Sequence, residues 1–408
     1  MTGQAYRLKD ICSIKSGKRI PLGMDFTTEI TNYPYIRARD IKGGKIQTDD
    51  LIYIDEIVFN KIKKYIIKSG DIAITIVGAS VGDVAYAQEE IDGFNLTENA
   101  VRLTEFNSIV DGKYLFYVLN QEQYHEYMQT VAGGAAQPKL GIYKVERIKV
   151  FLPPLNIQKE IASVLTAYDN LIENNNKRIR LLEQMAENLY KEWFVRFRFP
   201  GHEKVEFDNG LPKGWVIDRI GNVCETLGGG TPSTSKAEYW NGNIKWVTPT
   251  DITSKNSLPL LNVEGRITEE GLKKSSAKLL PPYTILMTSR ASIGFFGVAP
   301  FEVCTNQGFI SIIPQKENLR MYMLYTLKLK KDEIIANANG STFLEISKGR
   351  FRKMKMVVPI DSILDLFENK TRVIFDEILK IEQQSENLAR QRDLLLPRLM
   401  SGKLEVNV

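Results

Sequence analysis

The longest ordered pattern in the chain is a heptad. Between Pro153-Pro154 and Pro200 no Pro or Gly interrupts the sequence. One apolar line runs Leu165, Ile172, Ile179, Ala186 and Trp193, seven apart, and a companion line runs Ile161, Tyr168, Asn175, Leu182 and Leu189. A repeat held this long predicts a coiled-coil helix. It recurs near the other end in Phe367, Ile374, Ile381, Leu388 and Leu395, beside Leu364, Thr371, Ile378, Ser385, Arg392 and Leu399. Pro397 and Gly402 mark the expected end of that second helix. Forty helical residues reach roughly 60 Å. Each stripe needs a partner, and the nearest is the other helix, antiparallel, because residues 199–360 bring the chain back. Polar residues inside the stripes (Asn175, Ser385, Arg392) then fix register at some cost in stability.

The segments before each helix read differently. "DIAITIVG" and "YTILMTS" are strands by length and residue type. "GKYLFYVLNQEQYHEYMQTV" reads as one helix. Gly, Asn and Asp turns divide many short β-branched runs. The fold class is therefore mixed α/β (α+β), with two similar globular domains joined by two long antiparallel coiled-coil helices. The boundaries fall at 1–152 for the first domain, 153–198 for the central helix, 199–360 for a linker and second domain, and 361–408 for the distal helix and tail.

The likeness of the two domains is written in the chain. "VGASVGDVAYA" (77–87) returns as "SRASIGFFGVA" (289–299). "DICSIKSGK" matches "NVCETLGGG", "YIRARDI" matches "WVTPTDI", "YLFYVL" matches "YMLYTL", and "IKVFLP" matches "MKMVVP", in the same order. A period this long is a duplicated domain. Cys12 and Cys224 occupy one position of the repeat, and the three cysteines form no CxxC, which fits a reducing, cytoplasmic compartment. Two related heads on a rigid rod, about a pseudo-twofold axis, suit a target with two sites along a line, such as duplex DNA. A plain helical hairpin that only props its domains is the blander alternative.

Composition adds little by itself. Net charge is +5 from 54 basic and 49 acidic residues, so any basic surface is local. Lys15, Lys18, Arg19, Arg37, Arg39, Lys42 and Lys45 form one such cluster, against three acids. Taken singly each is a solvated charge; clustered, they suit phosphates, with an Arg for guanine. The matching loops of the second copy are polar: Thr231, Ser233, Lys236, Thr248, Thr250 and Asp251, with Ser289 and Arg290 in the repeated turn. Arg37, Arg39, Thr248, Thr250 and Asp251 are the candidates for reading bases.

Catalytic patterns fail. "GASVG" matches the G-x-S-x-G elbow, but the second copy places Arg290 at its first Gly. The chain has only two histidines, His125 and His202. No Walker loop, HExxH or zinc spacing occurs. No apolar run is long enough for a membrane span, and no secretory signal opens the chain. The residues describe a binder with no catalytic or metal site.

Several longer stretches together resemble a known family. Phe151–Gly201, "LPKGWVIDRIGNVCETLGGGTPS", "TSRASIG", "TNQGF", "GSTFLEIS" and "LLPRLMSGKL" are similar, in matching order over essentially the whole chain, to the specificity subunits of type I restriction–modification systems. The resemblance implies two target recognition domains, each reading half of a split, asymmetric sequence in double-stranded DNA, and helices that set the spacer. It implies no catalysis and no bound cofactor. S-adenosylmethionine, ATP and Mg2+ belong to partners: modification (methyltransferase) subunits, two of them, and restriction (translocase/nuclease) subunits, docked along the helices. It implies a role in host defence. Two departures stand out: the first copy lacks LPxGW before Tyr6, and the second has "VVPIDSILDLFENK" where the first has "FLPPLNIQKEIA", with one Pro and no matching Gln. The rival reading is a non-catalytic two-headed scaffold for protein or carbohydrate, with Tyr239, Trp240 and Trp246 stacking on sugars.

Overall fold

The computed structural model describes residues 3–133, 138–254, 257–340, 343–401 and 404. The chain divides into two compact units, Met1–Asn170 with Ala389–Val408, and Leu171–Leu388. Each therefore holds a globular head and a piece of both long helices.

In the first unit a four-stranded antiparallel sheet has the order Ser13–Ser16, Ala100–Thr104, Ile72–Thr75, Val84–Tyr86. Gln4–Arg7 pairs with Lys149–Leu152, which joins the start of the head to its end. A third sheet sets Pro34–Ile36 between Ile52–Tyr53 and, in parallel, Asn95–Leu96. The second unit repeats all three. Its four-stranded sheet runs Cys224–Gly228, Phe309–Pro314, Ile285–Thr288, Phe296–Val298. Val216–Arg219 pairs with Lys355–Val358, and Trp240–Val247 lies between Arg266–Ile267 and, in parallel, Cys304–Thr305. Strand order and direction match throughout, as a duplication requires.

The repeated cysteines also do the same thing. Each follows a short helix and donates its thiol to a carbonyl four residues back, Cys12 to Leu8 at 3.3 Å and Cys224 to Ile220 at 3.2 Å. Burial pushes both thiols up to about 12, which disfavours the thiolate at neutral pH.

The long helices span Leu155–Tyr190 and Asp361–Met400. The first continues into a π-helical turn, Lys191–Val195. In the first unit Ile161 and Leu165 share a core with Leu399, and the Arg392 guanidinium meets Asp169 at 2.6 Å. In the second unit Asn175 donates to Ser385 at 3.2 Å and Gln384 at 3.3 Å, and Arg178 pairs with Glu377. Within each unit the helices thus run antiparallel. Asn175, Ser385 and Arg392, the polar interruptions of the heptad, are all partnered across the pair. Tyr168, Ile172, Leu182, Leu189, Leu388 and Leu395 are half-buried; Ile179, Phe367, Ile374, Ile378 and Ile381 are buried.

Two helix boundaries differ from expectation. Residues 112–131 form two helices, Gly112–Leu119 and Glu122–Val131, broken at Asn120. The first is buried on every side from Tyr114 to Leu119, whereas the second buries Met128 alone, so one straight helix could not serve both environments. Pro397 lies inside the distal helix, not at its end. The three residues after it continue the helix because Leu399 and Met400 pack on the first head's core. Gly402 lies outside the described residues.

Candidate nucleic-acid interface

The loops that leave the sheets carry the candidate residues, and glycines set where they leave. A Cβ at Gly17 would overlap the Thr97 carbonyl oxygen; one at Gly229 would overlap the Asn306 carbonyl oxygen. Both positions admit only glycine, so the loop after the first sheet strand departs at the same point in both heads. The repeated "ASxG" turns connect paired strands. Gly82 and Gly294 have positive φ (95° and 79°) and donate to the Thr75 and Thr288 carbonyls, each at 3.0 Å. The motif is therefore a hairpin closure. His125 faces Asp83 at 3.2 Å rather than joining a triad.

In the first head, Lys15 bonds Glu105, and that bond holds the Glu105 carboxyl below its usual range. Arg19 reaches Glu98 at 2.9 Å with most of its side chain in solvent. Lys18 is exposed, its ammonium 5.8 Å from the Tyr65 ring centroid. Lys42 is exposed and Lys45 half-buried, flanking a Gly43-Gly44 hairpin turn with positive φ at both glycines. Arg39 is mostly exposed and lies 2.5 Å from Asp50.

Arg37 behaves differently. Its Nε and Nη2 each lie 2.9 Å from Asp40, and Nη2 also bonds the Asp50 carbonyl. Asp40 accepts the Arg37 backbone N–H at 2.7 Å as well. The Asp40 hydrogen bonds raise the guanidinium's pKa above its ordinary value. Arg37 is thus tied to Asp40 and Asp50 within its own head. The second head does the same with other residues: Asp251 accepts the Thr248 N–H at 2.7 Å and its hydroxyl at 2.7 Å. What "YIRARDI" and "WVTPTDI" preserve is an aspartate that accepts the backbone N–H three residues before it. Thr248 and Asp251 are thus turned inward on each other, while Thr250 is exposed.

The other second-head candidates divide likewise. Ser289 is buried, at 2% exposure, with its backbone tied to Gly308 and Ile346, so it is removed from the contact set. Arg290 is exposed, 3.9 Å from Glu345. Thr231 donates to Gln307 at 2.6 Å, Ser233 meets Ser235 at 2.9 Å, and Lys236 lies 3.9 Å from Glu238 and over the Tyr239 ring at 5.1 Å. The sequence reading missed how this loop is held. The Trp246 indole donates to the Gly230 carbonyl at 2.9 Å and the Trp240 indole to the Ser233 carbonyl at 3.1 Å, and the two rings pack edge to face. The tryptophans brace a polar loop, and Tyr239 is buried. That speaks against a sugar-stacking platform.

The fold is thus a duplicated binding scaffold with braced, polar or basic loops on each copy. The model of the type I restriction modification DNA specificity domain matches residues 3–184 and again 212–387. The chain belongs to that family, whose members are non-catalytic subunits that confer DNA sequence specificity. The type I restriction enzyme MjaIX specificity subunit of Methanocaldococcus jannaschii is 26% identical, over 97% of this chain and 94% of that protein. The HindI specificity subunit of Haemophilus influenzae is 22% identical, over 98% and 99%. The crystal structure of a type I restriction-modification S subunit from M. genitalium shares the fold, with a TM-score of 0.59 at 14% identity, covering 100% of this chain and 97% of that one.

Proposed function

We propose that this chain reads a bipartite, asymmetric sequence in duplex DNA, one half with each recognition domain. It recruits two modification subunits, which bring S-adenosylmethionine and methylate adenine, and restriction subunits, which bring ATP and Mg2+. The observation that carries this reading is the duplicated topology with divergent loops: one scaffold and one shared aspartate clasp, but a basic, hairpin-tipped surface on the first head and a tryptophan-braced hydroxyl-rich loop on the second. Identical heads would suit a symmetric target; dissimilar loops suit dissimilar half-sites. Among the described residues no helix is long and apolar enough to cross a membrane, and the proposed place of action is the cytoplasm.

The test is adenine-methylation mapping in cells that express the chain with its cognate modification subunit. A split motif is expected, and replacing residues 210–360 with another member's second domain changes one half only. Methylation that ignores the chain, or a swap that alters both halves, overturns the proposal.

A further inference from the structure

We infer that in each head the segment just after the short helix beneath the third sheet is a phosphate-gripping element of the DNA interface. The inference rests on the DNA-reading function proposed above and concerns residues outside the candidate loops. In the first head this helix is Glu56–Ile62, capped by Asp55, whose carboxylate accepts the Val58 N–H at 2.7 Å. The chain then reads "KIKKYIIK" from Lys61 to Lys68. Ile62 and Ile67 are buried and Tyr65 half-buried, while backbone bonds from Ile67 to Phe94 and from Leu96 to Tyr65 clamp the segment to its neighbours. Lys61, Lys63, Lys64 and Lys68 are left pointing into solvent. Among the described residues none of the four meets a carboxylate at ion-pairing distance. Lys18, in the neighbouring loop, lies against Tyr65 of this same segment.

The second head repeats the arrangement. Thr268 caps helix Glu269–Lys273 by accepting the Gly271 N–H at 3.1 Å. Ala277 and Leu280 are buried, and Lys273, Lys274 and Lys278 are exposed between and beside them, Lys273 lying 3.8 Å from Glu269 of its own helix. Here the Thr268 hydroxyl donates to the Glu238 carbonyl, which ties the helix to the turn that carries Lys236.

A lysine in the last turn complements the helix dipole, which accounts for Lys61 and Lys273. It does not account for Lys63, Lys64, Lys68, Lys274 or Lys278, which lie past the helix end. The candidate loops diverged in charge between the heads; this segment carries exposed lysines in both, although only Lys61 and Lys274 share a position of the repeat and Pro281 stands in the place of Lys68. Retained charge without retained sequence is the behaviour of an element that grips the uniform part of the ligand, the phosphate backbone. Ammonium groups on flexible stems suit that task, whereas reading a base edge favours a fixed fork.

The experiment uses the full chain assembled with its modification subunit. Binding is measured against salt on a duplex carrying the mapped motif and on one of unrelated sequence. Changing Lys61, Lys63, Lys64 and Lys68 together to Gln is expected to flatten the slope of log K against log salt by about 0.9 for each phosphate no longer neutralised, about 3.6 if all four engage. The change to Arg keeps the slope, and the methylated motif stays the same. In parallel, acylation of the wild-type assembly is expected to show these lysines and Lys273, Lys274 and Lys278 protected by DNA. An unchanged slope, or lysines that stay reactive on DNA, overturns this inference alone. A wild-type assembly that binds neither duplex overturns the recognition reading itself.

Discussion

The two heads solve the same packing problem with different chemistry, and the clearest case is in the four-stranded sheets. In the first, Arg102 and Asp71 form a 2.6 Å ion pair with both side chains over 90% buried. Ala73 stands opposite Arg102 in the ladder, small enough to admit it, and Asp71 also accepts the Lys68 N–H at 2.9 Å. In the second, Ser311 stands opposite Leu286, Thr284 replaces Asp71, and Pro281 replaces Lys68 and so has no N–H to satisfy. The Thr284 hydroxyl instead donates to the Pro281 carbonyl at 2.7 Å. Four positions changed together, and each change is explained by another. A duplicated domain keeps its topology while volume and charge are exchanged in coupled sets.

Breaking that set is expected to give the largest effect. Asp71→Ala leaves a buried guanidinium unpaired and costs about 3–5 kcal/mol, read as early melting of the first head by limited proteolysis and urea unfolding. Transplanting the second head's solution, Lys68→Pro, Asp71→Thr, Ala73→Leu and Arg102→Ser together, recovers most of the loss, because a buried ion pair gives no net advantage over good packing. If the fourfold variant is no better than Asp71→Ala, the four positions are not a coupled set.

The joint between head and helix differs next most. Gln158 is 1% exposed; it accepts the Asp111 N–H at 2.9 Å and donates to the Ile109 and Pro153 carbonyls. At the matching place in the second copy stands Leu364, also buried. There the joint is made by Lys316 with Asp361 at 2.7 Å, by Asn318 with Asp365, and by Glu368 accepting the Met321 N–H. The missing Gln of the second copy is thus a change of internal clamp. Gln158→Leu strands three backbone groups and is expected to cost about 1–3 kcal/mol, with a matching fall in the first head's urea midpoint. Leu364→Gln would not be stabilising in return, since its surroundings offer another set of bonds. Equal effects of the two substitutions would contradict this account of the joint.

The same contrasts show what was legible in the sequence. The seam positions were legible because burial repeats with the period of the helix: Ile161, Leu165, Ile179 and Ile378 are buried as a heptad requires. The repeat was legible because it survives in short apolar strings. The roles of Arg37, Thr248 and Asp251 were not. A side chain clasped within its own head and a base-reading one have the same chemistry and the same loop setting, and only the backbone geometry tells them apart. Ser289 looked exposed because it borders Arg290, yet strand Ile285–Thr288 carries it inward. The lysines at 61–68 were not singled out, because they alternate with Ile62, Tyr65, Ile66 and Ile67 and form no motif.

The smallest difference concerns a half-buried carboxylate. Glu183 of the first long helix accepts the Leu258 N–H of the second head at 2.8 Å, whereas the matching position of the second long helix, in the other unit, is Ala389. Burial raises the Glu183 pKa, only partly offset by that hydrogen bond and by Lys328. Between the ordinary carboxylate pKa and this raised value, the folded chain keeps a proton that the unfolded chain has lost. Stability from this group is therefore complete in acid and declines as the pH rises through that window. Glu183→Gln keeps the acceptor oxygen for Leu258 and removes the partly desolvated charge. The variant is expected to melt slightly higher at neutral pH, by about 1–2 °C, with the advantage fading as the pH falls through that window and gone below the ordinary carboxylate pKa. Melting curves of both proteins from pH 4 to 8 test it, and an advantage that grows in acid would show that Glu183 is stabilised, not strained, by its place in the second head.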